Sequence, residues 1–355
     1  MPQQRDAGEA PAPAALAPSQ PPPFADQLRI AGGAPALVGE TAAPATPAIP
    51  GQPPPLSDVL RIAGARALGG GLAGGSAMFL NVLCLMWLRT ALFAQYARGL
   101  SFREAMRTIY AEGRAAGNGS ALAGVARFYR GCGYALVLAP LSRFGDTACN
   151  AGAQALFAAR SDDAVPLPAQ TAAAALASGV FRAGIMPLDT LKTMAQVEGA
   201  KAPAVLRDKI ALMGPRRALF AGAAGAAGAH AASFWPWFTV HNALQARVPR
   251  SQQDGAAGWA AFALRAAGIG LAASAVSDAT SNALHVLKTR KQTAPAAMSY
   301  PQAFRAAAAG GGVIRGVMLR GLGTKMCASA ANGVLFTILW NAAEERMLAS
   351  PPEHA

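Results

Sequence analysis

The segment Pro187-Leu188-Asp189-Thr190-Leu191-Lys192-Thr193 places a helix breaker, a carboxylate and an ammonium within six residues. Asp189 and Lys192 are three apart, so on a helix they share one face and can pair. Pro187 lacks the N–H that the preceding turn requires, so it bends such a helix. An uncharged run, Ala164–Phe181, lies just upstream. Ionisable side chains in apolar surroundings default to a functional reading. No constellation for covalent chemistry accompanies them. The four His (His230, His241, His285, His354) and four Cys (Cys84, Cys132, Cys149, Cys327) lack metal-ligand spacing. GxSxG, HExxH and Walker patterns are absent. The expectation is a non-enzyme without metal or cofactor, with the cysteines as small buried residues.

Long apolar elements must position these ions. The chain has 355 residues, 53% hydrophobic and 14% charged, against about 25% charged in ordinary soluble domains. Ala67–Leu88, Ala164–Phe181, Ala218–Ala246 and Met326–Ala343 carry no formal charge. Gly131–Phe157 carries only Arg143 and Asp146, and Trp259–Leu287 only Arg265 and Asp278. Each approaches the ~20 residues a membrane helix needs. Thirty-eight glycines suit close helix packing.

The formal charge of +13 reflects 18 acids against 31 bases. The intervening segments Ala97–Arg130, Val197–Ala218 and Thr289–Arg320 carry +4, +3 and +5. These sit between helices one and two, three and four, and five and six. The charge therefore marks one membrane face by the positive-inside bias, rather than a nucleic-acid partner.

Three units recur. Leu88-Arg89-Thr90, Leu191-Lys192-Thr193 and Leu287-Lys288-Thr289 are spaced by 103 and 96 residues. Tyr129-Arg130-Gly131, Phe220-Ala221-Gly222 and Leu319-Arg320-Gly321 are spaced by 91 and 99. With Ser101-Phe102, Ile109-Tyr110-Ala111-Glu112-Gly113 and the Pro187–Thr193 segment, the region from Ala67 to Arg346 resembles the mitochondrial carrier family. That resemblance implies an all-α membrane protein. Six transmembrane helices would form three pseudo-symmetric repeats with short matrix-side helices. Repeat boundaries are expected at 66–160, 161–250 and 251–348, with a tail at 349–355. It also implies the mitochondrial inner membrane, with both termini on the intermembrane-space side and a monomer as the default.

The resemblance assigns a matrix gate to Arg89, Pro187, Asp189, Lys192, Gln196, His285, Lys288 and Gln292. Cys84 and Met86, and Ala283 and His285, stand in the first and third repeats where the second has Pro187 and Asp189. The opposite gate falls on Asn150, Asn242 and Asn341, where the family has acids, and its bases are absent as well. Substrate contacts fall on Leu138, Ala229, His230 and Ala328, with Arg143, Arg182 and Lys325 as further polar candidates. Arg182 could line the cavity or pair with Asp278, and Arg143 could neutralise Asp146. That layer is nearly apolar, which disfavours nucleotides and di- or tricarboxylates. Lipid phosphate, cardiolipin in the family, would meet Arg130, Gly131, Gly222, Arg320 and Gly321 at helix N-termini. The same arginines also satisfy the charge bias alone.

Two functions stay open. One is alternating-access transport of a small neutral, zwitterionic or weakly charged metabolite. The other is a non-transporting carrier-fold scaffold or subunit of a larger membrane complex. Residues 1–65 form a separate Pro- and Ala-rich tail expected to be disordered. Pro21–Gly32 and Pro53–Gly64 match at nine of twelve positions.

Overall fold

A computed structural model describes residues 56–160, 167–249 and 255–349. Some side chains within those segments lie outside the description, including those of Arg143, Asn150 and Asn341. The described residues are helical, with no strand among them. Helix α1 spans Leu56–Arg98 and α2 spans Phe102–Ala116. A short α3, Ala121–Ala126, precedes α4, Cys132–Arg160. Next come α5, Leu167–Gly184, and α6, Met186–Glu198. The short α7, Ala202–Met213, and α8, Pro215–Leu219, lead into α9, Ala223–Arg247. The last unit comprises α10, Gly255–Thr293, α11, Tyr300–Ala308, and α12, Leu322–Ala349.

The helix boundaries follow local chemistry. Ser101 and Glu104 form a capping box at α2, and Ser299 and Gln302 form another at α11. Pro187 splits the third long rod at Ile185, whereas α1 and α10 run through the corresponding stretch unbroken. Pro236 lies inside α9 and frees the carbonyl of Ala232. Thr280 on α10 donates to that carbonyl at 2.9 Å, so the lost backbone bond is replaced across the helix pair. Helix α1 begins at Leu56, ten residues inside the tail expected to be disordered. Asp58 in its first turn, paired with Arg61 at 3.7 Å, favours that start.

The long helices close a ring. Helix α1 packs on α4, α4 on α5, α5 on α9, α9 on α10, α10 on α12, and α12 back on α1. Helices α1, α6 and α10 also meet one another, so the ring narrows at that end. Small residues allow the approach: Gly179 faces the backbone of Ala227 with room for no more than van der Waals contact. The packed clusters are likewise modest, for example Val82, Met86 and Ala135. The cysteines are not core residues, since Cys84 and Cys327 are exposed and the other two half-buried.

By length and apolarity, one segment of the described residues, Phe79–Arg98, qualifies to cross a membrane. The criterion does not carry the six expected spans. Polar residues and prolines, such as Pro168, Gln170 and Arg182 in α5 and His230, Ser233 and Pro236 in α9, lower the mean hydropathy of those runs.

Gly222 enters α9 with φ +92°, and a Cβ there would stand 3.2 Å from the Lys288 carbonyl. Gly133 in α4 has open space at its Cβ. Gly222→Val should therefore cost about 2 kcal/mol or more. Gly133→Ala should be neutral or stabilising by up to ~1 kcal/mol. Thermal unfolding of the purified full chain in detergent checks both.

Candidate functional site

Where α1, α6 and α10 converge, Asp189 accepts three hydrogen bonds. Lys288 Nζ lies 2.6 Å from Oδ2, Lys192 Nζ 2.9 Å from Oδ1, and Gln292 Nε2 2.9 Å from Oδ2. Lys192 belongs to the same helix, but Lys288 and Gln292 come from α10. One carboxylate thus ties the second repeat to the third. Phe93 on α1 faces the Lys192 ammonium at 5.3 Å, adding a cation–π contact from the first repeat.

Below this network each repeat braces its neighbour. Gln196 Nε2 donates to Thr90 Oγ1 at 3.4 Å and approaches Met86 Sδ at 3.5 Å. Gln292 Nε2 meets Thr190 Oγ1 at 3.3 Å and Met186 Sδ at 3.9 Å. The third brace is Tyr96, whose hydroxyl donates to Asn282 Oδ1 at 2.7 Å. Thr90 and Thr190 in turn donate to the carbonyls of Phe128 and Leu219, both at 2.7 Å.

These contacts fix the register between repeats. Residues in the first repeat correspond to residues 100 later in the second, not 103. Tyr96, Gln196 and Gln292 are equivalent, as are Met86, Met186 and Asn282. Arg89 therefore occupies the place of Asp189 and His285, and Leu92 the place of Lys192 and Lys288. The match of Leu88-x-Thr90 with Leu188-x-Thr190 carried this register in the sequence. The expected alignment put Met86 opposite Asp189, and it missed Tyr96.

A second ring of contacts caps the converging ends. Arg290 Nε donates to Tyr96 O at 3.2 Å, Arg127 Nη1 to Gln196 O at 2.9 Å, and Lys209 Nζ to Gln292 O at 2.6 Å. Three equivalent carbonyls thus receive three cations of different origin. Arg127 also pairs with Glu112 at 3.0 Å, and Arg98 joins the same carboxylate. Several bases of the positively charged loops are in this way consumed by helix ends.

Above Asp189 lies a cavity of about 320 Å³. Arg89, Asp189, Lys192, Gln196, His285 and Lys288 line its floor, and Leu138, Arg182 and His230 its walls. Arg182 pairs with Asp146 at 2.5 Å rather than with Asp278. Asp278 instead takes Lys325 at 3.3 Å and Ser329 at 2.6 Å. Lys325 and Ala328 are not among the lining residues, and Ala229 is fully buried. The nearly apolar contact layer expected from α4, α9 and α12 is thus incomplete, because cations reach the cavity from α1, α5, α6 and α10.

The other expected sites fare unevenly. Asn242 is half-buried beside His241, while the side chains of Asn150, Asn341 and Arg143 lie outside the described residues. Gly131, Gly222 and Gly321 all take positive φ where α4, α9 and α12 begin. Arg130 is exposed there. Arg320 is buried and donates to the carbonyls of Gly316 and Gly310 at 2.9 and 3.3 Å. Its guanidinium is held inward by the turn at Ile314–Met318, so it is not a free phosphate ligand. No protein-family model matches the chain, and no curated protein is significantly similar to it.

Lys209 lies on α7 and is 1% exposed. Burial, then repulsion from Lys291, push its ammonium down to about 8. The unfolded chain, with an ordinary lysine near pKa ~10.4, binds more protons between these limits. Stability owed to Lys209 therefore rises as pH increases from about 8 to about 10.4. Compared with Lys209→Met, the wild type should gain on the order of 2 kcal/mol of relative stability between pH 7 and pH 10. Chemical unfolding of both proteins across that range checks this, and parallel profiles would contradict it.

Proposed function

We propose that this chain is a membrane transporter of the mitochondrial-carrier type, moving a small metabolite through the bundle by alternating access. The observation that carries the reading is a cavity of about 320 Å³ set inside a pseudo-threefold ring and closed at one end by exchangeable polar contacts. Asp189, Lys192, Lys288 and Gln292 form that closure. Such contacts hold one state and can be given up in another, whereas a packed apolar plug offers no second set of partners.

Six spans belong to this proposal. Large apolar side chains point away from the bundle on its long helices, including Leu83, Val137, Leu176, Val180, Leu264 and Val334, each at least 44% exposed. Hydrocarbon around the ring would cover them. The short helices α2, α7 and α11, with their cationic loops, would then share one face, read as the matrix side. Cardiolipin phosphate at Arg130 and Gly131, and at Gly222, remains part of the same proposal. The mitochondrial inner membrane follows from the resemblance.

A scaffold role draws on a different observation. The first repeat supplies Arg89 where the second supplies Asp189, so closure joins two repeats by ion pairs and not three. The two readings part at Asp189. In proteoliposomes containing cardiolipin, the transporter should take up at least one solute from a broad metabolite panel. Asp189→Asn should cut that uptake about tenfold or more, a loss of at least ~1.4 kcal/mol. Absence of flux across the panel, with stable comigration in a large membrane complex, would favour the scaffold.

A further inference from the structure

The cavity's charges do not balance: Arg89, Arg182, Lys192 and Lys288 face Asp189 and Asp146, and of these cations Arg89 alone lacks a carboxylate partner among the described residues. Asp189 is saturated by Lys192, Lys288 and Gln292. Arg182 spends Nε and Nη2 on the two oxygens of Asp146, at 3.3 and 2.5 Å. Among the described residues Arg89 donates a hydrogen bond to Asn81 Oδ1, at 2.7 Å from Nη2. It also lines the cavity, near enough to Lys192 for the two cations to repel each other. The floor therefore presents a half-buried guanidinium with free N–H groups and two neighbouring ammonium groups. In the wall, His230 Nε2 is buried without a hydrogen-bond partner and stands 3.8 Å from Asp146. Leu138, Ala139 and Ile185 add apolar surface to the same lining.

We propose that the cavity binds a small organic anion whose oxyanion group seats on Arg89, with its carbon body against Leu138, Ala139 and Ile185. A guanidinium without a carboxylate in a confined, low-dielectric site is unfavourable until an anion arrives. A planar fork of donors matches the paired oxygens of a carboxylate or a phosphate ester. Lys192 and Lys288 add attraction without leaving Asp189, so the anion completes the network instead of dismantling it. The first repeat contributes a cation at the place where the second contributes its carboxylate, and the ligand supplies the missing negative charge. A cation would meet Arg89, Lys192 and Lys288 with only a saturated Asp189 to attract it. A neutral solute would leave Arg89 unpaired.

The inference rests on the transport reading only in calling the ligand cargo. Binding is measured without flux, so the two can fail separately. A scaffold could bind the anion yet show no uptake, and a transporter of neutral solutes would show uptake yet fail here. The test uses purified full chain in detergent, with thermal shift and calorimetry. Probes are acetate, a branched monocarboxylate, a four-carbon dicarboxylate, a phosphate monoester and inorganic phosphate. Lysine methyl ester and a neutral sugar serve as controls. At least one organic anion should bind saturably, and the controls should not. Arg89→Gln should weaken that binding at least tenfold. Arg89→Lys, which keeps charge but not the fork, should weaken it several-fold. Lys201→Gln, an exposed loop cation, should leave it unchanged. If Arg89→Gln fails to fold, Arg89→Lys still decides. Unchanged affinity in the variant that folds overturns the proposal. So does equal loss in Lys201→Gln, binding of inorganic phosphate alone, or selective binding of a control.

Discussion

A carboxylate buried among apolar helices must be fully compensated, and Asp189 meets that demand by borrowing donors from a different repeat. Lys192 alone would give a local pair on α6. Lys288 and Gln292 convert it into a bond between repeats. Removing either partner leaves charge stranded in a low dielectric, which is costly. The position of α10 against α6 is therefore specified by polar chemistry.

The remaining junctions solve the same geometric problem with other chemistry. Gln196 reaches Thr90 on α1, and Tyr96 reaches Asn282 on α10. Beneath each brace, a cation takes the equivalent carbonyl at the helix end, from Arg290, Arg127 or Lys209. Near-threefold geometry is thus compatible with unequal junctions. One is held by ion pairs and two by neutral side-chain hydrogen bonds, with Arg290 adding a bond to Tyr96 O at the α1–α10 junction. Their strengths differ accordingly, because charge-assisted bonds are roughly twice as strong as neutral ones. An opening motion would meet unequal resistance around the ring.

Much of this was legible in the sequence, for identifiable reasons. Pro187, Asp189 and Lys192 announce themselves through type and spacing, and Gln196, Lys288 and Gln292 follow from the repeat. Charge counting located the three polar segments. Tyr96 was hidden because a phenol and a glutamine share no resemblance except the reach of a terminal donor. Arg89 was visible but misplaced by three residues, since a basic residue was matched to a basic residue while the fold matched Leu88 and Thr90. Arg127 and Lys209 read as loop charge, and only tertiary structure turns them onto carbonyls. Arg320 misled in the opposite sense, because a cation beside a helix N-terminus resembles a phosphate site until its own turn claims it. The helical start at Leu56 was obscured by the prolines before it, which end a disordered composition and open a helix equally well.

The scarcity of acids gains its meaning from these positions. Eighteen carboxylates face 31 bases in the chain, yet at the converging helix ends the surplus is absorbed by backbone carbonyls, not left to repel. Lys209 needs no acid because the α10 C-terminus it caps carries partial negative charge. That economy does not extend to Arg89 in the cavity, whose partner among the described residues is the neutral side chain of Asn81. A base at the place of an acid is tolerable in a loop, where water and backbone supply compensation. In a confined cavity it must be balanced by something that enters. The excess of cations, diffuse when counted along the chain, thereby becomes a single local deficit of negative charge beside Asp189, at the point where the three repeats meet.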